Sequence, residues 1–368
     1  MGHPEEVTLG ELNNICPYFT MFPLAFPAGV LNAARRKEGV IDPFCGRGTT
    51  LLAGRMRGLR SYGVDSNPVA AAIAEAKVTK VRPQDILHVL KRILAKRSRP
   101  ELPDGEFWQM AFEAGTLRKI CHIREDLLTA KSAPSRVALR AIMLGALHGP
   151  LRRDEPWYFS NQMPRTYASK PAYSVKYWKR HGLVAPAVDV ADLVARRAEK
   201  YFAHAYDEAT GVVVHADSRT CNLREQEPDA KWIVTSPPYY GMRSYGPDQW
   251  LREWFLGGEP RVDYRQAGLN HGSPQEFAHD LALVWTNMAN YCRPGATMVV
   301  RFGGINDRPE DPRPIIRASF KYAERAGWEY QNSRGAGEPV PGRRQASQFA
   351  RPLNKYVHER DYFLTLST

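Results

Sequence analysis

Two short turns in this sequence hold residue types suited to chemistry. The first is Asp42-Pro43-Phe44-Cys45-Gly46-Arg47-Gly48-Thr49-Thr50. Two glycines flanking one residue let the backbone turn tightly and approach a ligand closely. A helix beginning at Thr49 would place unpaired N–H groups behind them. The turn lacks the Gly-Lys-Ser/Thr ending of a phosphate loop and does not read G-x-G-x-x-G. About twenty residues further on, Gly63-Val64-Asp65-Ser66-Asn67-Pro68 supplies a carboxylate, Asp65, suited to the two hydroxyls of a ribose. Asp217 falls where an adenine amino group would need an acceptor. The second turn is Ser236-Pro237-Pro238-Tyr239-Tyr240-Gly241. Successive prolines forbid helix and fix the backbone. The Pro237 carbonyl is then free to accept a hydrogen bond from a substrate. Ser236 adds a small donor and acceptor, and Tyr239 a flat face for stacking.

The elements that must position these turns follow from the apolar pattern. Val40 to Asp42 and Ser61 to Val64 read as strands, with helices over Thr49 to Arg57 and Pro68 to Lys77. A β-α-β-α start implies a parallel sheet with right-handed crossovers. Further strands are expected at Val212 to His215, Trp232 to Thr235, Thr297 to Phe302, Trp328 to Gln331 and Tyr362 to Leu366. Ser273-Pro274-Gln275-Glu276 is a capping box that opens a helix running to about Tyr291, and Arg293-Pro294-Gly295 stops it. Pro314 to Ala326 reads as the last helix. Open α/β sheets bind ligands beyond the carboxyl ends of their strands, where both turns lie.

Between the second and third strands the pattern changes. Ile86, Leu87, Val89, Leu90, Ile93 and Leu94 share a helical face, and Leu117 to Leu128, Ser135 to Leu147 and Val190 to Tyr206 are helix-like. The whole chain carries 51 Lys+Arg against 39 Asp+Glu, a net charge of +12. Residues 80–205 alone hold 23 Lys+Arg and 12 Asp+Glu, a net +11. A basic field of that size suits a polyanionic partner. The expected organisation is a sheet domain, residues 1–79 and 206–368, interrupted by a basic helical insertion, residues 80–205.

Composition excludes several classes. Hydrophobic residues at 43% and charged residues at 24% are globular values. No run reaches the roughly 18 apolar residues of a membrane span, and Met1 to Leu12 resembles no signal or transit peptide. The five cysteines are scattered, with no CxxC and no Cys/His ligand spacing, so neither a disulfide framework nor a metal site is expected. An intracellular, cytoplasmic protein fits these features.

The DPFCGRGTT and GVDSNP segments resemble the S-adenosylmethionine site of class I methyltransferases. The resemblance implies a Rossmann-like, seven-stranded, mostly parallel sheet. It implies that Asp42, Phe44, Gly46, Gly48 and Thr49 surround the methionine part, Asp65 the ribose and Asp217 the adenine. Pro17-Tyr18-Phe19-Thr20-Met21-Phe22-Pro23 is similar to the segment that closes over the cofactor in DNA amino-methyltransferases, which makes Phe19 a cofactor-binding candidate. Ser-Pro-Pro-Tyr resembles the catalytic motif of those enzymes, so Ser236, Pro237, Pro238 and Tyr239 take that role.

An exocyclic amino group is a poor nucleophile because its lone pair is delocalised into the ring. Hydrogen bonds to Ser236 Oγ and the Pro237 carbonyl would favour a pyramidal nitrogen that attacks a sulfonium methyl in line. Tyr239 would stack on a base taken out of the duplex. With Ser first, family precedent favours N4 of cytosine over N6 of adenine. Methylation at carbon 5 needs a cysteine nucleophile, usually after proline, and no Pro-Cys pair occurs. DNA is the expected partner, with a cognate restriction endonuclease in a restriction–modification setting. Arg243 and Tyr245 after the catalytic turn, Arg165, Lys170 and Lys176 in the insertion, and Arg343 and Arg344 near the end are the DNA-contact candidates. Trp250 and Trp254 read as packing. Two other readings stay open: an RNA base methyltransferase of the transfer-RNA guanine-N2 type, and a non-catalytic nucleic-acid-binding module. The long insertion between the second and third strands departs from the motif orders of known DNA amino-methyltransferases, so its role in target recognition is a hypothesis.

Overall fold

Seven strands form one sheet: β1 Gly39–Asp42, β2 Arg60–Asp65, β3 Gly211–His215, β4 Ala230–Thr235, β5 Cys292–Phe302, β6 Trp328–Gly335 and β7 Arg360–Leu366. Their spatial order is β3-β2-β1-β4-β5-β7-β6. The computed structural model describes residues 10–18, 22–149, 156–161, 163, 170–203, 211–241, 246–262, 269, 271–304, 311–336 and 359–367. β3, β2, β1, β4 and β5 run parallel, and β7 is antiparallel to both β5 and β6. This is the expected Rossmann-like, seven-stranded, mostly parallel sheet.

Alternation explains why the central strands read as unbroken apolar runs. Val40, Val234 and Val299 face one cluster with Phe26, Leu31 and Ala53. Their neighbours Ile41, Ile233, Met298 and Val300 face the opposite cluster with Phe277, Leu281, Trp285, Ile315 and Phe320. Helices Ala25–Val30 and Thr49–Met56 therefore cover one face, and Pro274–Ala289 and Pro312–Ala323 the other. A parallel sheet covered on both faces buries both sets of side chains. The chain runs β1-β2-β3 in one direction and then returns to place β4 on the other side of β1. The carboxyl ends of β1 and β4 thus flank a topological switch point, where such sheets form their ligand crevice.

Each expected strand is present, with shifted ends. β5 begins at Cys292, before the Arg293-Pro294-Gly295 sequence read as a helix stop, because Cys292 already pairs with Ala230; Gly295, at φ +71°, lies in the register shift before Thr297 pairs with Trp232. β6 continues to Gly335 as a largely exposed edge strand, where an apolar pattern has nothing to mark.

The chain divides into two compact units. The sheet unit comprises residues 18–78, 208–244 and 267–368. The helical unit comprises residues 79–207 together with 1–17 and 245–266, two segments that sequence reasoning put with the sheet. Its helices include Pro83–Leu94, Ala114–Thr129, Pro134–Ala146 and Val190–Phe202. Glu106–Ala111, Pro171–His181 and Gly246–Phe255 were not anticipated. Pro171–His181 has Pro at its first position and ends at Gly182 in the left-handed region. Its aromatics obscured the period. Trp178 from this helix, with Phe107, Trp108, Trp250 and Trp254, forms an aromatic core in which Trp108 and Trp254 lie 4.5 Å apart. Trp250 and Trp254 are buried, as their packing role requires.

Several cations of this unit are structural. Buried Arg197 donates to the Trp157 carbonyl at 2.8 Å, Arg124 to that of Trp254 at 2.8 Å, and Arg252 to that of Leu144 at 3.1 Å. Among the described residues no helix is long and apolar enough to cross a membrane, and no His/Cys/Asp/Glu group could hold a metal.

The antiparallel strand β7 is fastened by a buried pair. Arg301 of β5 donates to both oxygens of Asp361, at 2.7 and 3.0 Å. Asp361→Ala would leave Arg301 buried and uncompensated, and is expected to lower stability by about 3–5 kcal/mol in urea denaturation.

Candidate functional site

The glycine turn is built on hydrogen bonds between loops. Asp42, fully buried at the end of β1, accepts from the Thr235 hydroxyl at 2.6 Å and the Phe44 N–H at 3.1 Å. The Cys45 N–H donates to the Val64 carbonyl at 3.0 Å, and the Gly46 N–H to Asp65 Oδ2 at 2.8 Å. The two glycines do different work. Gly48 has φ +78°, and a Cβ there would lie 2.9 Å from Ala74, so the turn presses against the helix Pro68–Val78. Gly46 has φ +51°, and a Cβ there would meet nothing within 4 Å. Gly46 therefore borders open space while Gly48 packs the scaffold. Thr49 is buried at the start of its helix, Thr50 donates to the Val234 carbonyl at 3.2 Å, and half-buried Phe44 sits edge-on to Trp285 at 6.0 Å.

The three carboxylates have separate surroundings. Burial raises the Asp42 carboxyl to about 6, against the Thr235 and Thr50 hydroxyls and the Phe44 N–H, with Asp65 adding to the rise. Its Oδ2 accepts no well-formed hydrogen bond among the described residues. Asp65 is also pushed up by burial, but both its oxygens accept backbone N–H groups, from Gly46 and from Asn67, each at 2.8 Å. Sequence reasoning left those oxygens to a ribose; here they already brace the glycine turn. Asp217 is gripped by Arg219, whose guanidinium reaches both its oxygens and also Asp280 at 2.7 Å. Those bonds hold the Asp217 carboxyl below the usual range. Ser218 donates to the Pro43 carbonyl, tying the Asp217 loop to the glycine turn.

The second turn leaves the end of β4 next to the first. Thr235 binds Asp42, and Ser236 follows it. The Pro237 carbonyl accepts no hydrogen bond among the described residues. Half-buried Tyr239 donates to Glu359 at 3.0 Å and lies edge-on to Phe302 at 5.2 Å, with the Ser236 hydroxyl within hydrogen-bond reach. Burial and the Glu359 carboxylate push its phenol well above the ordinary range, so Tyr239 is neutral. Beyond it the Gly241 N–H donates to His271 Nδ1 at 3.0 Å.

The structure thus brings Asp42, Phe44, Gly46, Gly48, Thr49 and Asp65 together at the carboxyl ends of the central strands, with Asp217 tied in through Ser218. Ser236, Pro237, Pro238 and Tyr239 adjoin them. Lys170 precedes the helix Pro171–His181, and Lys176 is exposed on it, one turn from Tyr173 and Arg180. Phe19, Arg165, Arg243, Tyr245, Arg343 and Arg344 lie outside the described residues. Sequence reasoning missed Glu359, Arg219 and His271. Arg219, two positions after Asp217, was legible as a local partner. Glu359, 120 residues from Tyr239, carried no local signal.

The orphaned Asp42 oxygen and the open side of Gly46 fit a ligand that brings a donor or positive charge to a narrow cradle. No family model matches the sequence. Over 45 residues, 12% of the chain, it is 42% identical to the type II methyltransferase M.MvaI of Kocuria varians, and this match spans 10% of that protein. Among solved structures it is similar to the rRNA methyltransferase aviRa of Streptomyces viridochromogenes, with 13% identity and a TM-score of 0.38 over 100% of this chain and 94% of that one. It is also similar to TrmN of Thermus thermophilus, with 12% identity and a TM-score of 0.35 over 100% of this chain and 54% of that one. Likeness at this level carries no inference about activity or substrate.

The Asp42 environment has a pH signature. Its carboxyl titrates near 3.8 when unfolded and at about 6 when folded. Between these values the folded chain keeps a proton the unfolded chain has lost, so this group's contribution to stability falls as pH rises. Asn does not titrate. Relative to the wild type, Asp42→Asn is expected to gain about 2–3 kcal/mol between about pH 4 and pH 8, measured by denaturant titration at each pH.

Proposed function

We propose that this chain is a nucleic-acid base methyltransferase that modifies an exocyclic amino group, with N4 of cytosine in DNA as the preferred target. S-adenosylmethionine is the expected cofactor. One observation carries the reading: the 2.6 Å bond from Thr235 to Asp42 sets the Ser236-Pro237-Pro238-Tyr239 turn against the glycine turn across the switch point.

When bound, S-adenosylmethionine supplies an electrophilic methyl group on a sulfonium. Asp42, with one unsatisfied buried oxygen, would hold the positively charged methionine end, and Gly46 would leave room for it. The first turn of the helix from Thr49 has no side-chain cap, so its backbone donors remain for the ligand. Asp65 would meet the ribose with lone pairs left over from the backbone N–H groups it already accepts. Asp217 would reach the adenine only beside its Arg219 partner.

The substrate amino group would donate to the free Pro237 carbonyl and to Ser236 Oγ. Two acceptors at fixed positions localise the nitrogen lone pair and aim it. Tyr239, anchored by Glu359 and Phe302, would offer its remaining face to the base. A neutral phenol suits that role, because a stacking ring needs no charge. The helical unit, with Lys176, Arg180 and Tyr173 on one exposed helix, is the proposed nucleic-acid-contacting region. Arg165, Lys170, Arg243, Tyr245, Arg343 and Arg344 remain proposed contacts. A cognate endonuclease is the proposed partner if the mark serves restriction–modification.

Nucleoside mass spectrometry on DNA from a methylation-deficient host tests this. Expression of the chain should yield N4-methylcytosine. Ser236→Ala is expected to lower the rate on the order of 10²-fold, and Tyr239→Ala to weaken substrate binding. N6-methyladenine would keep the mechanism and change the base. A methylated base in RNA alone would overturn the DNA assignment, and silence in both would overturn the enzyme reading.

A further inference from the structure

The sheet unit has a second concavity at the opposite edge of the same strands. It is a pocket of about 380 Å³ lined by Arg35, Arg36, Lys37, Glu38, Gly39, Arg60, Tyr62, Asp229 and Arg293. These residues enter β1, β2 and β4, whereas Asp42, Asp65 and Thr235 leave them. At about 3.3 Å per residue, the length of β2 separates the two edges by roughly 17 Å. A ligand here would not share space with one at the glycine turn.

The lining holds five cations and two carboxylates. Glu38 is already committed: it accepts from Trp232 Nε1 at 2.8 Å, from the Arg35 N–H at 3.0 Å and from Arg293 at 2.9 Å. Asp229 is largely exposed and lies 3.9 Å from Arg293. The side chains of Arg35, Arg36, Lys37 and Arg60 have no ion-pair or hydrogen-bond partner among the described residues. Their turn is nevertheless held in place, since the Lys37 N–H donates to the Gly58 carbonyl and the Glu38 N–H to that of Arg35, both at 3.1 Å. A second observation points to a ligand. Tyr62 is only 6% exposed, lines the pocket, and its hydroxyl has no hydrogen-bond partner among the described residues.

We propose that this pocket binds a phosphate group, with Arg35, Arg36, Lys37 and Arg60 as cationic donors and the Tyr62 hydroxyl as a neutral one. Unpaired guanidinium groups around a concavity create a focused positive potential and match phosphate oxygens in geometry. The volume lies in the range of small-ligand pockets, about 300–1,000 Å³. The phosphate has two conceivable sources, a free phosphorylated molecule and the backbone of a nucleic acid.

Calorimetry on the full chain, with inorganic pyrophosphate, uridine monophosphate and a short DNA duplex as probes, decides the matter. Saturable pyrophosphate binding is expected. The double substitution Arg36→Ala, Arg60→Ala should weaken it at least about tenfold and Tyr62→Phe about threefold. The thermal midpoint and S-adenosylmethionine binding should not change, since both arginines are exposed and far from the glycine turn. Loss of pyrophosphate or nucleotide binding with duplex binding intact assigns a free ligand. Parallel loss of duplex binding, with pyrophosphate competing for the duplex, assigns backbone phosphate. No saturable pyrophosphate binding, or equal binding by the double variant, overturns the proposal.

Discussion

The hydrogen bond from the Thr235 hydroxyl to Asp42 is the join on which the candidate site depends. It links residues 193 positions apart. It forms only because β4 returns to lie beside β1 after the chain has travelled outward through β2 and β3. A carboxylate at the buried end of β1 needs donors, and the last residue of β4 provides one. Ser236 begins at the next position, so the bond that satisfies Asp42 also sets the height of the proline turn above the sheet. Ser218 repeats the device by binding the Pro43 carbonyl. Three loops from distant parts of the chain are thereby held to one point.

The same construction gives three aspartates different chemistry. Asp42 is buried with one oxygen unpartnered, so its charge is poorly stabilised. Asp65 serves the backbone, bracing Gly46 from the neighbouring strand. Asp217 is neutralised by Arg219. All three follow parallel strands, and position alone would give them similar roles. Their partners, not their places in the chain, separate a buried acid with an unpartnered oxygen from a structural clamp and an ion pair.

Charge shows a similar division. Net charge concentrates in residues 80–205, yet part of it is consumed inside the helical unit, where Arg197 and Arg124 bind backbone carbonyls. Four cations without ion-pair partners among the described residues gather instead at the entry to β1 and β2. A cation that caps a carbonyl is part of the scaffold. A cation that faces a cavity without a counter-charge is available to a ligand.

The sequence by itself determined the seven strands, the glycine turn and the proline turn, because each is a local matter: apolar alternation, φ-permissive glycines, fixed proline backbone. The capping box at Ser273 made its helix legible for the same reason. The Pro171–His181 helix was not legible, since its buried Trp178 answers to aromatics that arrive from residues 107 and 250. Only the tertiary structure decided that Thr235 reaches Asp42, that Glu359 holds Tyr239, and that Arg35, Arg36, Lys37 and Arg60 surround one hollow. These are contacts between strands and loops far apart in the chain. A hydrogen bond or a shared cavity is a property of distance in space, and the order of the strands, which no local pattern encodes, is what sets that distance.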